Sequence, residues 1–98
     1  MDFRLSFTIE SSEQIENNID YLLEYWSEKV ALEFIKKITT KGSFIIEFPH
    51  LYPLTKFRMN VRRCVVSKQI TMYYKTLKNG ILVISVFDTR QSPERLNL

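Results

Sequence analysis

Residues 69–87 read QITMYYKTLKNGILVISVF, and the fold turns on them. Gln69 to Leu77 is rich in Ile, Thr and Tyr, residue types that fit a pleated, half-buried surface. Ile81 to Phe87 is a second apolar run, and Asn79-Gly80 stands between the two. Asn-Gly between apolar runs signals a hairpin, since both central positions of a type I′ turn need a positive φ. Upstream, Val61 to Val66 reads as a third strand, with Ser67-Lys68 leaving room only for a tight turn. The second half of the chain therefore predicts a three-stranded antiparallel meander, closed by a polar tail from Thr89 to Leu98.

The first half has a different period. Phe3, Leu5, Phe7 and Ile9 alternate with polar residues, as on a half-buried strand. Ser11 followed by Gln14 fits a capping box and predicts a helix start. Ile15, Ile19, Leu22, Leu23 and Trp26 then recur at helical spacing, a pattern that assigns Trp26 to the core. The carboxylates Glu13, Glu16, Asp20 and Glu24 form a stripe that reads as a solvated helix face. Ser27 caps a second helix with Val30, Ala31, Phe34, Ile35 and Ile38 on its apolar side, continued past Gly42 by Phe44, Ile45 and Phe48. Pro49 and Pro53 mark a loop.

The expected architecture is α+β: an N-terminal strand, an αα-hairpin and the meander, in one antiparallel sheet with the helices packed on one face. The uncovered face is expected to carry the basic groups of the second half. At 98 residues the chain reads as one domain, 1–98. It shows no secretory leader and no apolar run long enough to cross a bilayer. The single cysteine, Cys64, cannot form an internal disulfide and reads as a small buried hydrophobe. These features fit a cytoplasmic protein without a membrane or cofactor role. Residues 1–48 hold five basic and nine acidic groups; residues 49–98 hold nine basic and two acidic. A basic half suggests a polyanionic partner, a nucleic acid or an acidic protein segment.

Tyr21-Leu22-Leu23-Glu24-Tyr25-Trp26 with Ala31 and Phe34, the loop Phe48-Pro49-His50-Leu51-Tyr52-Pro53, and Arg62-Arg63 before Ile70-Thr71-Met72-Tyr73-Tyr74 occur in an order that resembles the RelE/ParE toxin superfamily. Val86-Phe87-Asp88-Thr89-Arg90-Gln91-Ser92-Pro93 is similar to the closing strand and tail of ParE-like members. The resemblance implies a growth-inhibiting toxin, neutralised by a cognate acidic antitoxin in a hetero-oligomer. It leaves the target open: RelE-like members are ribosome-dependent messenger-RNA endonucleases, and ParE-like members poison DNA gyrase.

Laying the nuclease pattern on the chain puts the central arginine at Val66. The last-strand arginine falls at Thr89, beside Arg90, and the C-terminal tyrosine near Arg95. None of the three is kept, so no catalytic residue is assigned and a ParE-like binding mode is expected. Its candidate target surface is Lys56, Arg58, Arg62, Arg63 and Arg90, with Arg62 and Arg63 pointing to opposite faces of their strand. Tyr21, Tyr25 and Arg62 are candidate antitoxin contacts. No metal site is expected; the only histidine, His50, lies between two prolines.

Overall fold

A computed structural model describes residues 3–98. The chain runs β1 (Arg4–Phe7), α1 (Ile9–Tyr25), α2 (Glu28–Glu47), β2 (Arg62–Val65), β3 (Ile70–Leu77), β4 (Gly80–Asp88), and a short 3-10 turn at Pro93–Arg95. The four strands form one sheet in the order β1-β4-β3-β2. The meander is antiparallel, as expected. β1, however, lies parallel to β4, so the sheet is mixed.

Helix α1 starts three residues earlier than the capping box suggests. Thr8 is its N-cap, accepting a hydrogen bond from the Ser11 amide at 3.1 Å. This ends β1 at Phe7 and frees Ser11 and Gln14 for another task. β4 runs on beyond the end of β1, which would leave its edge groups bare. The Ser11 hydroxyl donates to the Val83 carbonyl at 3.0 Å. The Gln14 side-chain oxygen accepts from the Val86 amide at 2.6 Å. Side chains one helical turn apart thus replace the missing strand, because buried backbone groups must find partners.

The two helices cover one face of the sheet. Phe34, Ile38 and Ile45 of α2 meet Cys64, Met72, Tyr74, Ile81, Val83 and Val86, with Ile15, Ile19 and Leu22 of α1 at the margin. Gly42 lies where a Cβ would come within 2.7 Å of the Leu5 side chain, so α2 packs closely on β1. Phe44 and Phe48, expected on the buried face, are about half exposed.

A register shift between Tyr73 and Tyr74 inserts one extra residue in β4. The bulge lets Val83 and Val86 both face the helices while Ile84 and Phe87 face the other way.

Two further expectations fail. Trp26 is not in the core; it is 67 % exposed. It is the residue on which α1 ends, with φ −127° and ψ −106°, so the helical period that aligns Leu22 no longer applies to it. The face of the sheet away from the helices is not a basic surface. Val61, Tyr73, Ile84 and Phe87 form a second apolar cluster there, with Leu82, Leu96 and Leu98 packed against it. The tail therefore contributes two leucines to the sheet instead of running free.

Asn79-Gly80 marks a hairpin for a different reason than expected. The corner residues are Lys78 and Asn79, and Gly80 opens β4 opposite Leu77. No glycine has a positive φ; Asn60 is the only described residue with a left-handed backbone, at φ 64°. Gly80 is required because a Cβ would sit 2.1 Å from the Arg4 carbonyl oxygen, where β1 lies against β4.

Candidate binding surface

The stretch from Phe48 to Val61 is a loop fastened at several points. Tyr74, fully buried on β3, donates its hydroxyl to the Pro49 carbonyl at 2.9 Å. Burial pushes its phenol up to about 12, so it stays a neutral donor at ordinary pH. The Tyr52 ring packs edge-on against Tyr74, with centroids 6.4 Å apart. Arg62 Nη1 donates to the Tyr52 carbonyl at 2.7 Å and to the His50 carbonyl at 3.4 Å. Further on, the Thr55 amide bonds the Val61 carbonyl at 2.7 Å, and the Arg63 amide bonds the Pro53 carbonyl at 2.9 Å. Leu54 pairs with Arg62 across an isolated bridge, so residues 55–61 form the tip of a hairpin against β2.

The five candidate target residues do not make one patch. Lys56 is exposed on the hairpin tip. Arg58, also exposed, donates to the main-chain oxygen of Leu98, tying the tip to the tail. Arg62 lies on the helix side of β2, with its Nη1 donating to the loop carbonyls. Arg63 is exposed on the other face, opposite Tyr73. Arg90 lies at the far end of the sheet. Arg62 stands opposite Tyr74, while Asp88, just before Arg90, stands opposite Ile70. Four residues of strand, roughly 13 Å, separate the two positions.

Arg90 forms its own cluster. Its Nη2 meets Asp88 at 2.6 Å, its Nε donates to the same carboxylate at 2.9 Å, and its guanidinium lies 5.8 Å from the Tyr21 ring centroid. The hydrogen bonds from Arg90 hold the Asp88 carboxyl below the usual carboxylate range, and Asp88 in turn raises Arg90. Tyr21 contacts Tyr25 one turn on, with ring centroids 5.1 Å apart. Of the three candidate antitoxin contacts, the structure thus joins Tyr21 and Tyr25 and adds Arg90; Arg62 is committed elsewhere.

Beside this cluster a cleft of about 300 Å³ opens between the helix hairpin and the β2–β3 turn, lined by Tyr21, Leu22, Trp26, Phe34, Lys37 and Arg90 among others. Sequence periodicity missed this cleft, because it assigns Trp26 to the core. The available signal was Ser27: a cap immediately after Trp26 places the tryptophan at the corner of the hairpin.

Catalytic groupings are sparse. Val66, the residue onto which the sequence overlay lays the nuclease arginine, is buried against the helix-side core. Arg95 is exposed on the 3-10 turn. The Cys64 thiol is fully buried, and burial pushes its pKa up, the wrong direction for a nucleophile. Among the described residues no cluster of His, Cys, Asp and Glu could hold a metal ion. No helix among them is long and apolar enough to cross a membrane.

The fold is that of the RelE/ParE toxins. A chromosomal ParDE toxin–antitoxin structure from P. aeruginosa superposes with a TM-score of 0.76 at 10 % identity, over 88 % of this chain and 95 % of that one. A YoeB/ParE toxin from Agrobacterium tumefaciens matches with a TM-score of 0.66 at 13 % identity, over 88 % and 98 %. A YoeB dimer from Staphylococcus aureus matches with a TM-score of 0.63 at 14 % identity, over 89 % and 97 %. No protein-family model matches the sequence, and a search of curated proteins finds no relative.

Proposed function

We propose that this chain is the toxin of a type II toxin–antitoxin pair, acting in a ParE-like manner by binding a target of the gyrase type, and silenced by a cognate acidic antitoxin. The observation that carries this reading is a RelE/ParE fold in which Val66, the residue onto which the nuclease pattern lays its central arginine, is a buried core side chain. Cleavage of an RNA backbone needs a base, an acid and cations within hydrogen-bond reach of one phosphate. Here Arg62, Arg63 and Arg90 are parted by strand direction and length, and Arg90 is already paired with Asp88. Antitoxin contact is assigned to Tyr21 and Tyr25, an exposed aromatic pair on α1. Arg62, the third candidate contact, would act there through the loop it holds.

The test is expression of the chain alone and together with the adjacent open reading frame, with DNA and protein synthesis followed by pulse labelling. The expected result is growth arrest with DNA synthesis failing first, relieved by the neighbouring product. Alanine at both Tyr21 and Tyr25 should weaken that relief. Protein synthesis failing first, with messages cut within codons, supports the second reading, a ribosome-dependent endonuclease. Absence of any arrest overturns both.

A further inference from the structure

We propose that the 50–60 loop is a preformed docking element for an acidic, apolar-rich segment of a partner protein. The loop presents Leu51, Leu54, Phe57 and Met59, each more than half exposed. Four large apolar side chains are thus exposed within nine residues of one loop, and apolar surface grouped in this way marks interaction sites. Their exposure is not a product of slack chain. Tyr74 and Arg62 fasten the entry, the Thr55–Val61 bond closes the tip, Thr55 itself is buried, and its hydroxyl accepts from the Phe57 amide at 3.3 Å. Asn60 completes the turn in the left-handed conformation, which asparagine tolerates. A loop already held in shape loses little entropy when it docks.

Charge selects the partner. Between Glu47 and Asp88 the sequence has no carboxylate, while seven lysines and arginines fall in that interval. Lys56 and Arg58 lie on the loop, and Arg63 is exposed on the strand it pairs with. The loop and the strand it pairs with thus offer no carboxylate of their own; Arg58 already donates to Leu98, so Lys56 and Arg63 are the cations left for an approaching carboxylate. The apolar members select between polyanions. Nucleic acids bind through phosphate contacts and base stacking on several aromatics. Here three of the four side chains are aliphatic or thioether, and only Phe57 offers a ring. Aliphatic side chains beside cations fit a protein segment that alternates carboxylates with apolar anchors. The inference names the partner chemistry for part of the basic surface proposed above, and rests on that reading for its cellular meaning alone.

The experiment uses the intact chain as bait for a random short-peptide library displayed on phage. Selected peptides are then titrated against wild type, the double variant Leu54→Ser/Phe57→Ser, and Lys56→Glu, with circular dichroism confirming that each variant folds. A single-stranded oligothymidylate and vesicles of phosphatidylcholine with phosphatidylglycerol are titrated in parallel. The expected result is a set of peptides rich in Asp, Glu and Leu or Phe, losing about tenfold or more in affinity for each variant. Peptides indifferent to the substitutions, or no selected peptides, overturn the proposal. So does loop-dependent binding of the oligonucleotide or vesicles in place of peptides. Growth arrest is scored separately, so failure of the peptide test leaves the toxin reading standing, and absence of arrest leaves the peptide result standing.

Discussion

Replacing Gly80 by alanine separates two accounts of the Asn79-Gly80 pair. If Gly80 served a type I′ turn, the added methyl would cost about 1 kcal/mol, the ordinary penalty for a left-handed alanine. The structure gives a different source of cost. The new Cβ lies 2.1 Å from the Arg4 carbonyl oxygen and 3.0 Å from the Arg4 carbonyl carbon and nitrogen, whereas ordinary contact begins near 3.4 Å. All three atoms are backbone, so β1 has to move by more than an ångström. Local overpacking of that kind costs roughly 1–3 kcal/mol. The alternative is release of β1 from β4, which pair from Arg4–Gly80 to Phe7–Val83. Losing those strand bonds, at about 1 kcal/mol each, costs roughly 3–4 kcal/mol. The chain takes the cheaper route, and because the clash is with backbone that has to shift by more than an ångström, the cost falls in the upper part of the overpacking range, about 2–3 kcal/mol. In a domain of this size that lowers Tm by roughly 10–20 °C. Urea denaturation measures the total, and amide hydrogen exchange locates it, with protection lost over Arg4–Phe7. Gly42→Ala is the matched control. Its Cβ meets only the end of the Leu5 side chain, at 2.7 Å, and helix propensity gains about 1 kcal/mol, so its net effect should stay within about 1 kcal/mol. A Gly80→Ala cost near 1 kcal/mol, with exchange changes confined to Leu77–Gly80, would refute the strand-contact argument.

Two further outcomes are expected. Arg62→Ala removes a charged donor from the Tyr52 and His50 carbonyls, and should cost about 2 kcal/mol in urea denaturation while opening residues 50–60 to limited proteolysis. An unchanged proteolysis pattern would show that Arg62 does not hold the loop. The Asp88–Arg90 pair should give a stability increment that depends on pH. Because the folded carboxyl titrates below its unfolded value of about 3.9, the increment is complete above that value and fades as pH falls through the folded one. The Tm difference between wild type and Asp88→Asn should therefore be present at neutral pH, shrink with added salt, and vanish in strong acid. A difference independent of pH would contradict the assignment.

Short-range patterning reads the element list well. Apolar period, capping residues and β-branched runs each reflect interactions within a few residues, so the strand, helix pair and meander are legible along the chain. The Ser27 cap holds in the structure, and Cys64 is buried as its apolar strand implies. What periodicity leaves open depends on residues far apart in sequence. β1 runs parallel to β4, a partner more than seventy residues away, and no local signal encodes that direction. Ser11 and Gln14 look like a helix cap, but they serve the edge of β4, because the strand beside it stops at Phe7. The tail looks polar, yet Leu96 and Leu98 cover the second face of the sheet once the chain folds back. Arg62 and Arg63 look like a matched pair of surface cations; strand alternation and the loop carbonyls turn one inward to hold the loop and leave the other in solvent. Local sequence sets what each segment becomes, through backbone sterics and apolar spacing. The meeting of distant segments sets where each charged side chain points and which backbone groups it holds, and so which cations meet a partner without first giving up a contact.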